Sequence, residues 1–160
     1  MKIVVVAGTG SGCGKTTVVC RLLQAIPNLG AVKISPREGE SRIEWGVGEP
    51  GKDTDLYLAH GAVRAARIIG PRVGVVPAWD LIKGKFDGLR GVVIEGACAL
   101  DIPGEKFSVF VVGATVEEER AERNRVNAAK CQIIIDRSSH SSPETWISKV
   151  LGYLNGASGE

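Results

Sequence analysis

Residues Ala7–Thr17 read AGTGSGCGKTT, a glycine-rich run closed by Lys-Thr-Thr. Gly14, Lys15 and Thr16 match the end of the phosphate-binding pattern GxxxxGK followed by Ser or Thr. Thr9 stands where that pattern opens on glycine, and Gly8 lies one residue earlier. The chemistry survives this departure. Gly10, Gly12 and Gly14 permit the backbone angles that turn successive N–H groups toward one point. A helix following the loop aims its positive end at that point. In such a loop Lys15 neutralises β/γ-phosphate oxygens, the Thr16 hydroxyl ligates Mg²⁺, and Thr17 contacts the α-phosphate. The expected nucleotide contacts are therefore Gly10, Ser11, Gly12, Cys13, Gly14, Lys15, Thr16 and Thr17. A glycine-rich turn that binds nothing is the alternative. A strand before the loop, a helix after it, and Lys-Thr-Thr at the helix start argue against that.

Glu95 closes the apolar run GVVI. A carboxylate at the end of a buried strand suits a Walker B acid, which holds Mg²⁺ through water or polarises an attacking group. A solvated strand-end glutamate is the plainer alternative.

These residues need a scaffold. Residues 3–7 (IVVVA) read as a strand buried on both faces of a parallel sheet. Val18, Val19, Leu22, Leu23 and Ile26 have helical spacing, stopped by Pro27 and Asn28. Residues 31–34 read as a second strand, with Lys33 to Arg37 at its end. Residues 37–52 are polar and Gly-rich, a long loop of the kind that is often functional or mobile. Asp53 or Thr54 caps a helix running to about residue 65. Residues 66–69 and 73–76 read as strands joined by a Gly-Pro turn, an antiparallel hairpin, followed by a short helix and turn over 77–89. Strands follow at 91–95, 108–112 and 132–136. A helix over 115–130 and another over 143–154, with Pro143 in its first turn, complete the pattern. Alternating strands and helices predict a three-layer α/β P-loop NTPase fold with a mainly parallel sheet. One NTP-binding domain spans 1–154, and 155–160 form a frayed tail. Ligands of such sheets sit at the strands' carboxyl ends. The Gly-rich loop, Lys33 to Arg37, Glu95 and Asp136 to Ser139 all fall there.

Among the 160 residues, 44% are hydrophobic and 24% charged, as in a globular protein. The net charge of +2 lacks the basic excess of a nucleic-acid surface. No apolar run approaches the ~20 residues that span a bilayer, and MKIVVVAG reads as a strand rather than a signal peptide. Cys13, Cys20, Cys98 and Cys131 have no zinc spacing and read as thiols in a reducing cytoplasm. His60 and His140 have no partner at metal spacing. Trp45, in the long loop, either stacks on a ligand or packs locally.

The loop AGTGSGCGKTT resembles that of dethiobiotin synthetases and cobyrinic acid diamide synthases, which activate a carboxylate with ATP. The stretch EPGKDTDLYLAHGA, with VVIEG, is similar to the MobB family, nucleotide-binding accessory proteins of molybdopterin guanine dinucleotide biosynthesis. That resemblance implies a short single P-loop domain, GTP or ATP binding with Mg²⁺, slow hydrolysis, a homodimer and a cofactor-biosynthesis partner protein. It also makes Asp53 a catalytic and metal-binding candidate beside Lys15, Glu95 and Thr16, with Asp55 and Lys52 weaker. Asp53 as a plain helix cap is the alternative. After the second strand this chain has Ser35-Pro36-Arg37 where MobB-like chains usually carry histidines. IIIDRSSHSSPETWISKVL is similar in layout to the last strand, loop and helix of small nucleotide kinases, whose loop packs on the base. Arg120, Arg123 and Arg125 precede it, either as phosphate-binding arginines or as partners of glutamates on a solvated helix. No NKxD motif is present, which leaves Asp136 as a guess for guanine contact. The expected function is an Mg²⁺-dependent NTPase assisting molybdenum-cofactor-type biosynthesis. A small-molecule or nucleotide kinase, a carboxylate-activating ligase, and a nucleotide-dependent switch are the alternatives.

Overall fold

β1 (Ile3–Gly8) lies inside the sheet, paired in parallel with β5 (Gly91–Glu95) on one side and β6 (Phe107–Val112) on the other. This is a computed structural model, and it describes residues 1–48, 50–113, 118–136 and 142–156. β2 (Leu29–Pro36), β3 (Arg42–Trp45), β4 (Arg64–Gly70) and β7 (Ile133–Asp136) complete the described sheet, in the order β3-β4-β2-β5-β1-β6-β7. Only the β3–β4 pair among these is antiparallel.

Alternation along β1 divides the core between the two faces. Val4 and Val6 pack with α1 (Lys15–Ala25), α2 (Asp53–Ala59) and α5 (Pro143–Leu154), through Val19, Leu22, Tyr57, Trp146 and Val150. Ile3, Val5 and Ala7 pack on the opposite face with α3 (Val75–Ile82) and the turn after it, through Ala78, Trp79, Ile82 and Phe86. Ala128 of α4 (Ala121–Ala129) packs against this second cluster. The result is the expected three-layer α/β arrangement, with apolar side chains covering both faces of the sheet.

Three expectations change. Residues 73–76 are not a strand, so the 66–76 hairpin does not exist. Pro71 follows β4, Arg72–Gly74 form a 3₁₀ turn, and α3 begins at Val75. The buried side chains Val75, Ala78, Trp79 and Ile82 recur at helical spacing, and this periodicity outweighs the local β-branched run. The antiparallel strand lies instead in the segment read as a loop. β3 pairs from Arg42 with Ile69 to Trp45 with Ala66. An edge strand that is half-exposed throughout needs no apolar run and leaves little trace in sequence. Finally, α2 stops at Ala59, because Gly61 takes a φ of 103° and starts the turn into β4. Trp45 stacks on Phe86 at 5.9 Å between centroids, which settles it as a packing residue.

Candidate functional site

The Gly-rich loop joins β1 to α1 at the carboxyl edge of the sheet. Gly12 and Gly14 take φ values of 73° and 103°, which turn the chain sharply. Gly10 does not take a positive φ, so its freedom is not what shapes the loop. Gly8 matters for space instead: a Cβ there would lie 2.6 Å from Cys13 Sγ and 2.7 Å from the Val111 carbonyl. Thr9 also has an ordinary backbone, which explains why glycine is not required at this position. Its side chain is buried and accepts the Gly113 N–H at 3.0 Å, while Asn124 donates to its carbonyl at 3.1 Å. Thr9 thereby ties the loop to β6 and α4.

Gly14 is the N-cap of α1, with no side-chain cap. The first N–H groups of the helix therefore open toward the cleft together with the positive end of its dipole. Lys15 Nζ folds over the loop, donating to the Gly10 carbonyl and lying 3.5 Å from Cys13 Sγ. The Cys13 thiol is buried, and Cys13 is the one residue of Gly8–Thr17 that does not line the cleft.

Beyond the loop stands a charged cluster. Glu95 is only 3% exposed, and three donors surround its carboxylate. Thr16 Oγ1 donates to Oε2 at 2.9 Å, Tyr57 Oη donates to the same oxygen, and Lys33 Nζ donates to Oε1 at 3.1 Å. Lys33 also pairs with Asp53 Oδ2 at 2.9 Å. Burial works against the Lys33 charge, but its bonds to Asp53 and Glu95 outweigh that and hold its pKa above the ordinary lysine value. Burial, reinforced by the Glu95 charge, pushes the Tyr57 phenol far up. Burial likewise raises the Cys20 thiol to about 11, with Glu95 and Asp53 adding to it.

Of the expected metal set, Glu95 and Asp53 thus both pair with the Lys33 ammonium, and Thr16 bonds to the other oxygen of Glu95. The set suits a hard divalent cation in two respects. Thr16 spends its proton on Glu95 and keeps its lone pairs, and two carboxylates already flank a cation-sized position. It joins two carboxylates to a hydroxyl; among the described residues no three His, Cys, Asp or Glu side chains gather as a metal cluster. Asp53 is the first residue of α2 rather than its cap, and Lys52 precedes it at the cap position. Asp55 has a separate task, accepting the N–H groups of Val47 and Gly48 at 3.1 and 2.8 Å.

The cleft over the loop has a volume of about 820 Å³. Among the described residues, Lys15, Lys33, Arg37, Arg67, Arg120 and Arg123 line it, against the single carboxylate of Glu95. That balance suits a polyanion. Arg125 turns away and pairs with Glu122 on the helix surface. Asn124 and Asn127 are buried in the cleft wall. Asp136 ends β7, and the loop 137–141 that follows it, with His140, lies outside the described residues. His60 Nδ1 lies 2.8 Å from the Leu56 carbonyl, a helix-end contact rather than a ligand position.

Sequence reasoning missed Tyr57, Arg67, Asn124 and the role of Thr9. Tyr57 had one available signal, its position one helical turn after Asp53. Arg67 was hidden inside a strand. Its register does the work: Lys33 pairs with both Glu95 and Arg67, and Arg67 with Glu44, so a row of four charged residues crosses four strands on one face, two neighbouring cations flanked by two carboxylates. Among the described residues no helix is long and apolar enough to cross a membrane. Comparison with family models, with curated proteins and with solved structures finds no match for this chain.

Proposed function

We propose that this chain binds a nucleoside triphosphate, GTP or ATP, with Mg²⁺ at the Gly-rich loop and hydrolyses it. The observation that carries the reading is the placement of Lys15 and Thr16 at an uncapped helix start, with Thr16 bonded to the buried Glu95. The loop N–H groups and Lys15 hold the β- and γ-phosphates, and Lys33 and Arg67 add positive charge beyond them. Thr16, Glu95 and Asp53 are the residues to hold Mg²⁺, which supplies charge neutralisation at the phosphate oxygens when bound. Lys33 then exchanges its carboxylate partners for phosphate oxygens. Glu95 is the group positioned to accept a proton from the attacking water. We propose, from the resemblance of EPGKDTDLYLAHGA and VVIEG to MobB proteins, that this activity serves cofactor assembly in the cytoplasm, by a homodimer working with a partner protein.

Titration with fluorescent GTP and ATP analogues in Mg²⁺, followed by phosphate release, tests the reading. Lys15→Ala removes a charge-assisted contact worth about 1.5–3 kcal/mol, so affinity falls roughly 10- to 150-fold. Unchanged affinity in this variant overturns the proposal.

A further inference from the structure

The cleft over the Gly-rich loop crosses the carboxyl edge of the sheet. The loop leads into α1, which packs on one face, while the far wall belongs to α4, whose Ala128 packs on the other. Arg123 and Asn127 stand one helical turn apart on that wall, and Gly96 and Ala97, the residues after Glu95, line the same cleft. Asn127 is only 6% exposed. Its backbone carbonyl accepts from Lys130 and Cys131, but among the described residues its carboxamide has no hydrogen-bond partner. The only sealed side-chain atom without a partner among those residues is Asp55 Oδ2, so the Asn127 amide is open to the cleft it lines. A largely buried amide in that state is costly, and a ligand that supplies a partner offsets the cost. Asn124, one turn earlier, already donates to the Thr9 carbonyl.

Arg123 supplies charge. Among the described residues no carboxylate pairs with it, whereas Arg125 on the same helix pairs with Glu122. Burial raises the Cys98 thiol, and the Arg72 and Arg123 charges oppose that, so Arg123 stands close to the turn Ala97–Asp101. The nucleotide reading draws on Lys15, Lys33 and Arg67, and gives Arg123 and Asn127 no task.

We infer that Arg123 and Asn127 seat a second small molecule beside the nucleotide, one with a carboxylate or phosphate group for Arg123 and a hydroxyl for Asn127. The planar guanidinium suits either anion. A hydroxyl suits the carboxamide because each can both donate and accept. The cleft, at about 820 Å³, lies in the upper part of the range for small-ligand sites. Through Gly96 and Ala97 the second molecule adjoins Glu95, the group proposed to accept a proton. The inference deepens the proposed function and rests on it for that role alone, since binding at the α4 wall does not itself require nucleotide.

Binding to the full chain is followed by ligand-observed NMR, first without nucleotide. Glycerol 3-phosphate probes the phosphate class and 4-hydroxybutyrate the carboxylate class. Propyl phosphate and butyrate are their counterparts without a hydroxyl. The inference expects saturable binding of at least one hydroxylated probe, roughly threefold or more tighter than its counterpart. Which probe binds separates phosphate from carboxylate. Arg123→Gln weakens that probe about tenfold or more, as for loss of a charged hydrogen bond. Asn127→Ala abolishes the preference for the hydroxylated member of the pair and leaves the counterpart's affinity within about twofold, whereas a merely structural role would weaken both alike. Arg123 is exposed, so its variant folds and decides the matter even where Asn127→Ala does not fold. Adding Mg²⁺ with a non-hydrolysable GTP or ATP analogue leaves the probe bound. No saturable binding of either probe, unchanged affinity in Arg123→Gln, a hydroxyl preference that survives Asn127→Ala, or displacement of the probe by nucleotide overturns the inference. Nucleotide affinity is measured in parallel with the wild type and Lys15→Ala. Failure there refutes the nucleotide reading and leaves this site standing, while absence of probe binding alone refutes only this site.

Discussion

Replacing Tyr57 with phenylalanine isolates the hydroxyl that Glu95 receives from α2. Tyr57 is fully buried, and phenylalanine keeps its ring in place, so the packing contribution is nearly unchanged. The lost bond is one to a buried carboxylate, and such bonds contribute about 1.5–3 kcal/mol. Glu95 keeps Thr16 and Lys33, so we take about 2 kcal/mol. For a chain of this length that corresponds to a melting temperature lower by roughly 4–8 °C. The cost also has a pH signature. The folded chain raises the phenol above its ordinary value of 10.0, so below that pH both states are protonated and the Tyr57 contribution is constant. Above it the unfolded chain releases the proton while the folded chain retains it, and wild-type stability falls. The variant lacks that loss. The difference between the two proteins, about 2 kcal/mol at pH 8, therefore shrinks to roughly 0.6 kcal/mol at pH 11. Cys20 and Lys33 also have raised pKa values and weaken the fold at alkaline pH, but they do so in both proteins and cancel in the difference. Urea unfolding from pH 8 to pH 11 measures it. A destabilisation below about 0.5 kcal/mol, or one that does not change with pH, refutes the argument that Tyr57 donates to a charged Glu95.

The loop glycines make a graded test by thermal unfolding: Gly8→Ala forces its Cβ against the Val111 carbonyl and loses about 1–3 kcal/mol. Gly12→Ala has free space but a φ of 73°, and loses about 1–2 kcal/mol. Gly10→Ala has neither problem and stays within about 0.5 kcal/mol. Glu95→Gln removes both a Mg²⁺-holding carboxylate and the proton acceptor, and lowers Mg²⁺-dependent phosphate release about 100-fold or more, measured with a phosphate sensor.

Much of the fold was legible because the residues that specify it are adjacent in the chain. A continuous apolar run, a Gly-rich turn and a helical stripe place β1, the loop and α1 together. Pro143 and the apolar spacing behind it place α5 over 143–154, where the structure has it. The errors came where two local signals competed. The β-branched residues at 73–76 read as a strand, but Trp79 and Ile82 draw the segment into a helix. β3 was invisible because it is stabilised by pairing with β4 rather than by its own apolar content.

The candidate site divides along the same line. Sequence alone determined which residue types gather at the Gly-rich loop, and that Glu95 ends a buried strand. It left the partners of Glu95 undetermined. Thr16 lies 79 residues away in the chain, Lys33 62 and Tyr57 38. They meet because parallel pairing sets Lys33 beside Glu95 and the packing of α1 and α2 on the same face brings in the two hydroxyls. A slip of one residue in β2 would turn Lys33 to the opposite face. Thr9 follows the same logic: its departure from the glycine pattern is explained by Gly113 and Asn124, which only tertiary packing brings to it. Local residue types set the chemistry available, and strand register, which no short stretch of sequence encodes, decided which groups share it.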